Sequence, residues 1–166
     1  MRQKAMDVNK LKEKLQGAIE AEATMAVCYG RVAELIKNRK VRSQFYRFSK
    51  EAEENKELLC SRLNKLGLPE AECKNACRFC KLRPESFSLI GAVEMGLETT
   101  KLAAKFYKEL SAKCDSPHDK GLFNVLFKDH LRRQVALKRE KKFGHSDEES
   151  PFATHCIPKI LPKLWK

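Results

Sequence analysis

The sequence predicts an all-α fold, a four-helix bundle built from two copies of one antiparallel helical hairpin. Two observations predict it. The 166-residue chain matches itself at an offset of 78 positions, which sets Tyr29 on Tyr107, Phe45 on Phe123 and Leu59 on Leu137. A repeat this long is a duplicated helix pair closing into one bundle, not a solenoid unit. Each copy also carries two stretches whose apolar residues recur at steps of three and four, the period of a buried helical face.

The elements follow in order. The first helix, residues 8–38, carries Leu11, Leu15, Ala18, Met25, Tyr29, Val32 and Ile36 on one stripe, with Asp7 as its N-cap. The second, residues 41–66, carries Phe45, Phe48, Ala52, Leu59, Leu63 and Leu66, and Gly67 and Pro69 stop it after Lys65. The third, residues 86–113, carries Val93, Leu97, Ala103, Tyr107 and Leu110, reaches Cys114, and opens at Pro84 and Ser86. The fourth, residues 118–142, carries Phe123, Leu126 and Leu137 and opens at Ser116-Pro117, with proline in the first turn. Short connections within each hairpin make its helices antiparallel neighbours. The crossover between hairpins, residues 67–85, is long enough to run across the bundle, and loops of that length usually carry a function or are disordered.

Polar residues interrupt every stripe near its middle: Glu22 in the first, Asn55 in the second, Thr100 in the third, His130 and Arg133 in the fourth. Four interruptions at matching depth imply a polar cluster at the heart of the bundle.

Residues 10–142 resemble the ferritin-like superfamily, and within it the rubrerythrin-like branch. That family's hairpin carries a Glu, a Tyr seven residues on, and later a Glu-x-x-His. Glu22 and Tyr29 have this spacing, and VRSQFYRFSKEAEENKEL and KGLFNVLFKDHLRRQVAL are similar to the family's second and fourth helices without a gap. The resemblance implies the bundle fold and, in the family, a di-iron site handling peroxide or dioxygen. The ligands depart from the pattern. Glu22 stands, but the first Glu-x-x-His has become Ala52 and Asn55, the Glu of the third helix has become Thr100, and the second Glu-x-x-His has become His130 and Arg133. Two iron ions need several carboxylates to balance and bridge them, and a permanently cationic arginine is no ligand. The resemblance therefore predicts the fold and argues against di-iron chemistry.

We expect Arg133 to take the place of the metal charge and pair with Glu22, with His130, Asn55 and Thr100 meeting the remaining hydrogen bonds. Two alternatives stay open. The helices can be rotated so that Arg133 snorkels to the surface. Or a one-position shift among Glu51, Glu54, Glu98 and Asp129 can bring Glu51 or Asp129 inward and revive a non-standard metal site.

A second constellation, Cys73-x3-Cys77-x2-Cys80, lies in the crossover among Lys74, Arg78, Lys81 and Arg83. Neighbouring cations favour thiolates, and thiolates bind zinc or an iron–sulfur cluster. Either wants a fourth ligand, for which Cys114, His118, His155 and Cys156 are the candidates; free thiols or a disulfide are the alternatives. The spacing also matches the cluster motif of radical S-adenosylmethionine enzymes, whose far longer α/β barrels this chain does not resemble. Cys28 and Cys60, beside Tyr29 and Leu59, read as packing residues.

The chain has seven cysteines, no apolar leader in residues 1–20 and no run of transmembrane length, so reduced thiols in the cytoplasm are expected. The net charge of +12 includes a dense group at the end of the fourth helix, Arg132, Arg133, Lys138, Arg139, Lys141 and Lys142. Part of that is dipole chemistry. Part reads as attraction to an acidic partner, while the lack of interleaved aromatics argues against nucleic acid. Residues 143–166 form an irregular tail: an acidic linker, then PFATHCIPKILPKLWK, whose prolines forbid a long helix and whose apolar residues call for packing on the bundle or on a neighbour. Two functions are compatible with these features. One is a non-catalytic or accessory bundle, a homodimer or bound to a protein partner, with a cysteine-held metal. The other is an oxidoreductase using a remodelled metal site around Glu22 and His130 or an iron–sulfur cluster.

Overall fold

The computed structural model describes residues 6–67 and 88–143. Four helices, α1 (Val8–Leu35), α2 (Arg39–Lys65), α3 (Leu89–Lys113) and α4 (Pro117–Phe143), account for nearly all of them, and no strand occurs among the described residues. The helices pack mainly as two hairpins, α1 on α2 and α3 on α4. The repeat is reproduced element by element: α4 spans 27 residues, as α2 does, and starts 78 positions after it.

The termini refine the sequence reading. Helix α1 stops at Leu35, short of residue 38, because Ile36 turns extended and Asn38 caps the next helix. The Asn38 side chain accepts from the backbone N–H of Lys40 at 3.0 Å and of Val41 at 3.2 Å, so α2 begins at Arg39, two residues before the expected start at 41. Arg42 folds back and donates to the Ile36 and Lys37 carbonyls at 2.7 and 3.3 Å, satisfying acceptors left over at the hairpin turn. Helix α3 begins at Leu89 rather than 86, with Ser88 Oγ accepting from Gly91 N–H at 3.1 Å. Pro84 and Ser86 lie outside the described residues. Asp7 occupies the N-cap of α1, but its carboxylate makes no capping bond. Pro117 is the first residue of α4, behind Ser116, whose hydroxyl accepts from Asp119 N–H at 3.4 Å. Gly67, at φ 85°, follows α2 in the left-handed region where a side chain would be strained.

Two apolar clusters fill the bundle, one toward each end. One joins Met25, Val32 and Ile36 of α1 to Val41, Phe45 and Phe48 of α2, Val93 and Leu97 of α3, and Leu137 of α4. The other joins Leu11 and Leu15 to Leu59 and Leu63, to Tyr107 and Leu110, and to Phe123 and Leu126. Each fully buried Leu or Phe contributes about 1.5–3 kcal/mol, so these clusters carry the fold. Leu63 near the end of α2 and Ala92 near the start of α3 belong to different clusters. Gly67 and Ser88 therefore sit at opposite ends of a bundle about 40 Å long, and the crossover must join those ends. Gly96 lets α4 close on α3, since a Cβ there would meet Leu137 Cδ1 at 3.0 Å. Arg62 at the end of α2 grips Asp119 at the start of α4 with two bonds of 2.5 and 2.9 Å, which ties the hairpins together. No helix among the described residues is long and apolar enough to cross a membrane.

Candidate functional site: a buried charge cluster

Between the two apolar clusters lie the polar residues that interrupt the stripes. Glu22, Asn55, Thr100, His130 and Arg133 are all 3 % exposed or less, so the helices are not rotated to release Arg133 to solvent. The repeat explains their common depth: Glu22 matches Thr100, Ala52 matches His130, and Asn55 matches Arg133, and each pair is buried at both positions.

Glu22 is the hub. Its Oε1 accepts from the Tyr107 hydroxyl at 2.8 Å and lies 2.9 Å from His130 Nε2. Its Oε2 accepts from Asn55 Nδ2 at a long 3.5 Å and stands 3.9 Å from Arg133 Nη1. The other side of Arg133 meets α2, where its Nε donates to Glu51 Oε2 at 3.2 Å. Glu51 is one-third exposed and also pairs with surface Arg47 at 3.5 Å, so it is the point at which the cluster reaches the surface. Glu51 joins because two long side chains meet at the edge of the helix interface; no shift of register is needed, since Ala52 stays fully buried. Asp129 is taken up by Arg132 instead.

Thr100 departs from the expectation. It is fully buried, but its hydroxyl donates back to the Gly96 and Leu97 carbonyls of its own helix at 2.9 and 3.1 Å and does not reach Glu22. A threonine in mid-helix has this local acceptor always at hand, and its side chain is too short to leave it. Tyr107 takes the place in the network foreseen for Thr100. Its ring fits the apolar stripe, which hid the hydroxyl; the signal was its pairing with Tyr29 across the repeat.

Electrostatics fix the protonation states. Burial pushes the Glu22 carboxyl up, but His130, Arg133 and the Tyr107 hydroxyl outweigh it and hold the group below its ordinary value. Burial holds His130 below its ordinary value despite Glu22, so it is neutral near pH 7 and its Nε2–H donates to the carboxylate. Burial opposes the charge of Arg133, but Glu22 and Glu51 restore it. Both tyrosines are raised, first by burial, and stay protonated. The Glu22–Arg133 attraction at 3.9 Å is worth about 4 kcal/mol at an effective dielectric near 20. Desolvating each ion costs several kcal/mol. The pair therefore adds little net stability while being costly to break, and its main product is a single fixed arrangement of the core.

A pH dependence follows. His130 has a folded pKa below its ordinary 6.5, and Glu22 one below its ordinary 4.5. For both groups the unfolded chain takes up protons first. Their contribution is complete above about pH 6.5 and is lost as pH falls, through His130 first and Glu22 at more acid pH. The urea midpoint is expected to decline from about pH 6.5 downward, and His130→Gln to remove the upper part of that decline. An equal slope in the variant would assign the effect elsewhere.

Among the described residues, no group of three His, Cys, Asp or Glu side chains is placed to hold a metal ion. The carboxylates of Glu22 and Glu51 both face the guanidinium of Arg133, which occupies the position between them that a cation would need. The donor set does not suit a di-iron centre. Cys73, Cys77, Cys80, His155 and Cys156 lie outside the described residues. Cys114 is buried at the end of α3, where burial pushes its thiol up to about 11, the reverse of what a thiolate ligand needs. His118 is exposed beside Asp119. Both stand at the bundle end where the crossover leaves α2. Cys28 is buried and Cys60 partly so.

Comparison with models of known protein families gives no match, and comparison with curated proteins gives none.

Proposed function

We propose that this chain is a ferritin-like, rubrerythrin-related bundle in which a fixed charge network replaces the di-iron centre. In this reading it acts as a non-catalytic or accessory protein. Zinc or an iron–sulfur cluster is held by the crossover thiolates of Cys73, Cys77 and Cys80. One observation carries the reading: Arg133, 1 % exposed, aims its guanidinium at Glu22 where a metal ligand would be required. The 78-residue repeat supports the family assignment, because every position that would carry a ligand is buried at the same depth in both copies. Cysteine spacing supports the thiolate site.

The test is metal content per chain on protein purified without oxygen, with the visible spectrum of the same sample. About one zinc, or one cluster with sulfide, is expected. It should vanish when Cys73, Cys77 and Cys80 are changed to serine and persist in Glu22→Ala. Iron near two per chain that disappears in Glu22→Ala would overturn the reading of the core. Metal-free protein would remove the thiolate half of the proposal.

A further inference from the structure

The charge cluster leaves four buried polar atoms with no hydrogen-bond partner from the protein: Tyr29 Oη, His130 Nδ1, and Nη1 and Nη2 of Arg133. Tyr29 and Arg133 are each 1 % exposed and His130 is fully buried, so bulk water does not satisfy them. Native interiors rarely tolerate such groups.

The repeat says why the Tyr29 hydroxyl is orphaned, and where. Tyr107 Oη donates to Glu22, the carboxylate of the opposite copy. By the same symmetry, Tyr29 Oη should donate to residue 100, but that residue is a threonine whose hydroxyl is bonded to its own helix. The neighbouring position is cut back as well: Ala52 stands where the other copy has His130. Two side chains are thus smaller on the Tyr29 side of the cluster than on the Tyr107 side. Arg133 answers only in part. Its Nε is used by Glu51, and its Nη1 stops 3.9 Å from Glu22 Oε2, too far for a direct hydrogen bond and suited to a bridge through one molecule of water.

We propose that the bundle encloses a specific site for a water-sized neutral molecule, and that ordered water fills it. It accepts from Arg133 and Tyr29 and donates to Glu22 Oε2. A metal cation is disfavoured by the guanidinium, and an added anion by Glu22 and Glu51, whereas water supplies both a donor and an acceptor with no charge. Polar surroundings with three or four partners are what a buried water requires. The inference rests on the repeat and the cluster geometry, and does not depend on the ferritin-like reading.

The test is a crystal structure of the native chain at a resolution that shows solvent, paired with the melting temperature and structure of Thr100→Glu. A water peak within hydrogen-bond distance of Tyr29 Oη and an Arg133 Nη atom is expected. In Thr100→Glu the new carboxylate should take its place against Tyr29 and Arg133, expelling the water with a melting temperature equal to or above that of the native chain. A dry site, with Arg133 moved into direct contact with Glu22, would overturn the proposal. A peak heavier than water or one with anomalous signal would replace it with a bound ion. If Thr100→Glu does not fold, the native density alone decides.

Discussion

Replacing Glu22 by alanine is expected to destabilise the fold by about 3–5 kcal/mol, the cost of leaving one member of a buried ion pair alone. The substitution strips Arg133 of its nearest buried anion and also orphans the Tyr107 hydroxyl and His130 Nε2. Each lost partner leaves a desolvated group worth about 1–3 kcal/mol. Glu51 stays in contact with Arg133 from the edge of the interface and limits the loss. For a chain of this size, every kcal/mol lowers the melting temperature by roughly 2–4 °C, so a drop of about 6–20 °C should be seen. Metal content should not change. A small drop accompanied by loss of bound metal would mean that Glu22 is a ligand.

Arg133→Met is the complementary experiment, with an effect of similar size. Methionine keeps much of the volume of the arginine stem and removes the charge, so packing is largely spared. Glu22 is then left buried with hydrogen bonds from neutral partners only, and desolvation raises its pKa. We expect a loss of about 3–5 kcal/mol near neutral pH, shrinking as the pH is lowered and the carboxyl takes up a proton. That recovery on acidification is opposite to the native trend. Stability of Arg133→Met that falls with acid as the native chain's does would show that Arg133 is not what keeps Glu22 ionised.

The four helices were legible because their stripes are long and because the repeat supplies each hairpin with a second reading. What the sequence hid was local. Asn38 reads from the sequence as the last residue of the first helix, and only its side-chain bonds to Lys40 and Val41 reveal it as the cap of the second. In the core, Glu22, Asn55, His130 and Arg133 were visible as polar breaks in apolar stripes. Tyr107 was not, since a tyrosine satisfies an apolar pattern with its ring while its hydroxyl does the bonding. Thr100 was misjudged for the converse reason: its side chain is polar, but the helix it stands on is a closer partner than Glu22. Glu51 sits between these cases, a surface position by periodicity whose length lets it meet Arg133 at the interface edge. Residue spacing locates a side chain's root; its reach and competing local bonds decide which partner it finds.

The most direct measurement is the coupling free energy between Glu22 and Arg133, from urea unfolding of the native chain, Glu22→Leu, Arg133→Met and the double variant. If the guanidinium stands in for a metal charge, each single change should be costly and the double variant should lose clearly less than the sum of the two, with a coupling of about 2–3 kcal/mol. Additivity within about 0.5 kcal/mol would contradict the account, because it would mean that Glu22 and Arg133 do not depend on one another.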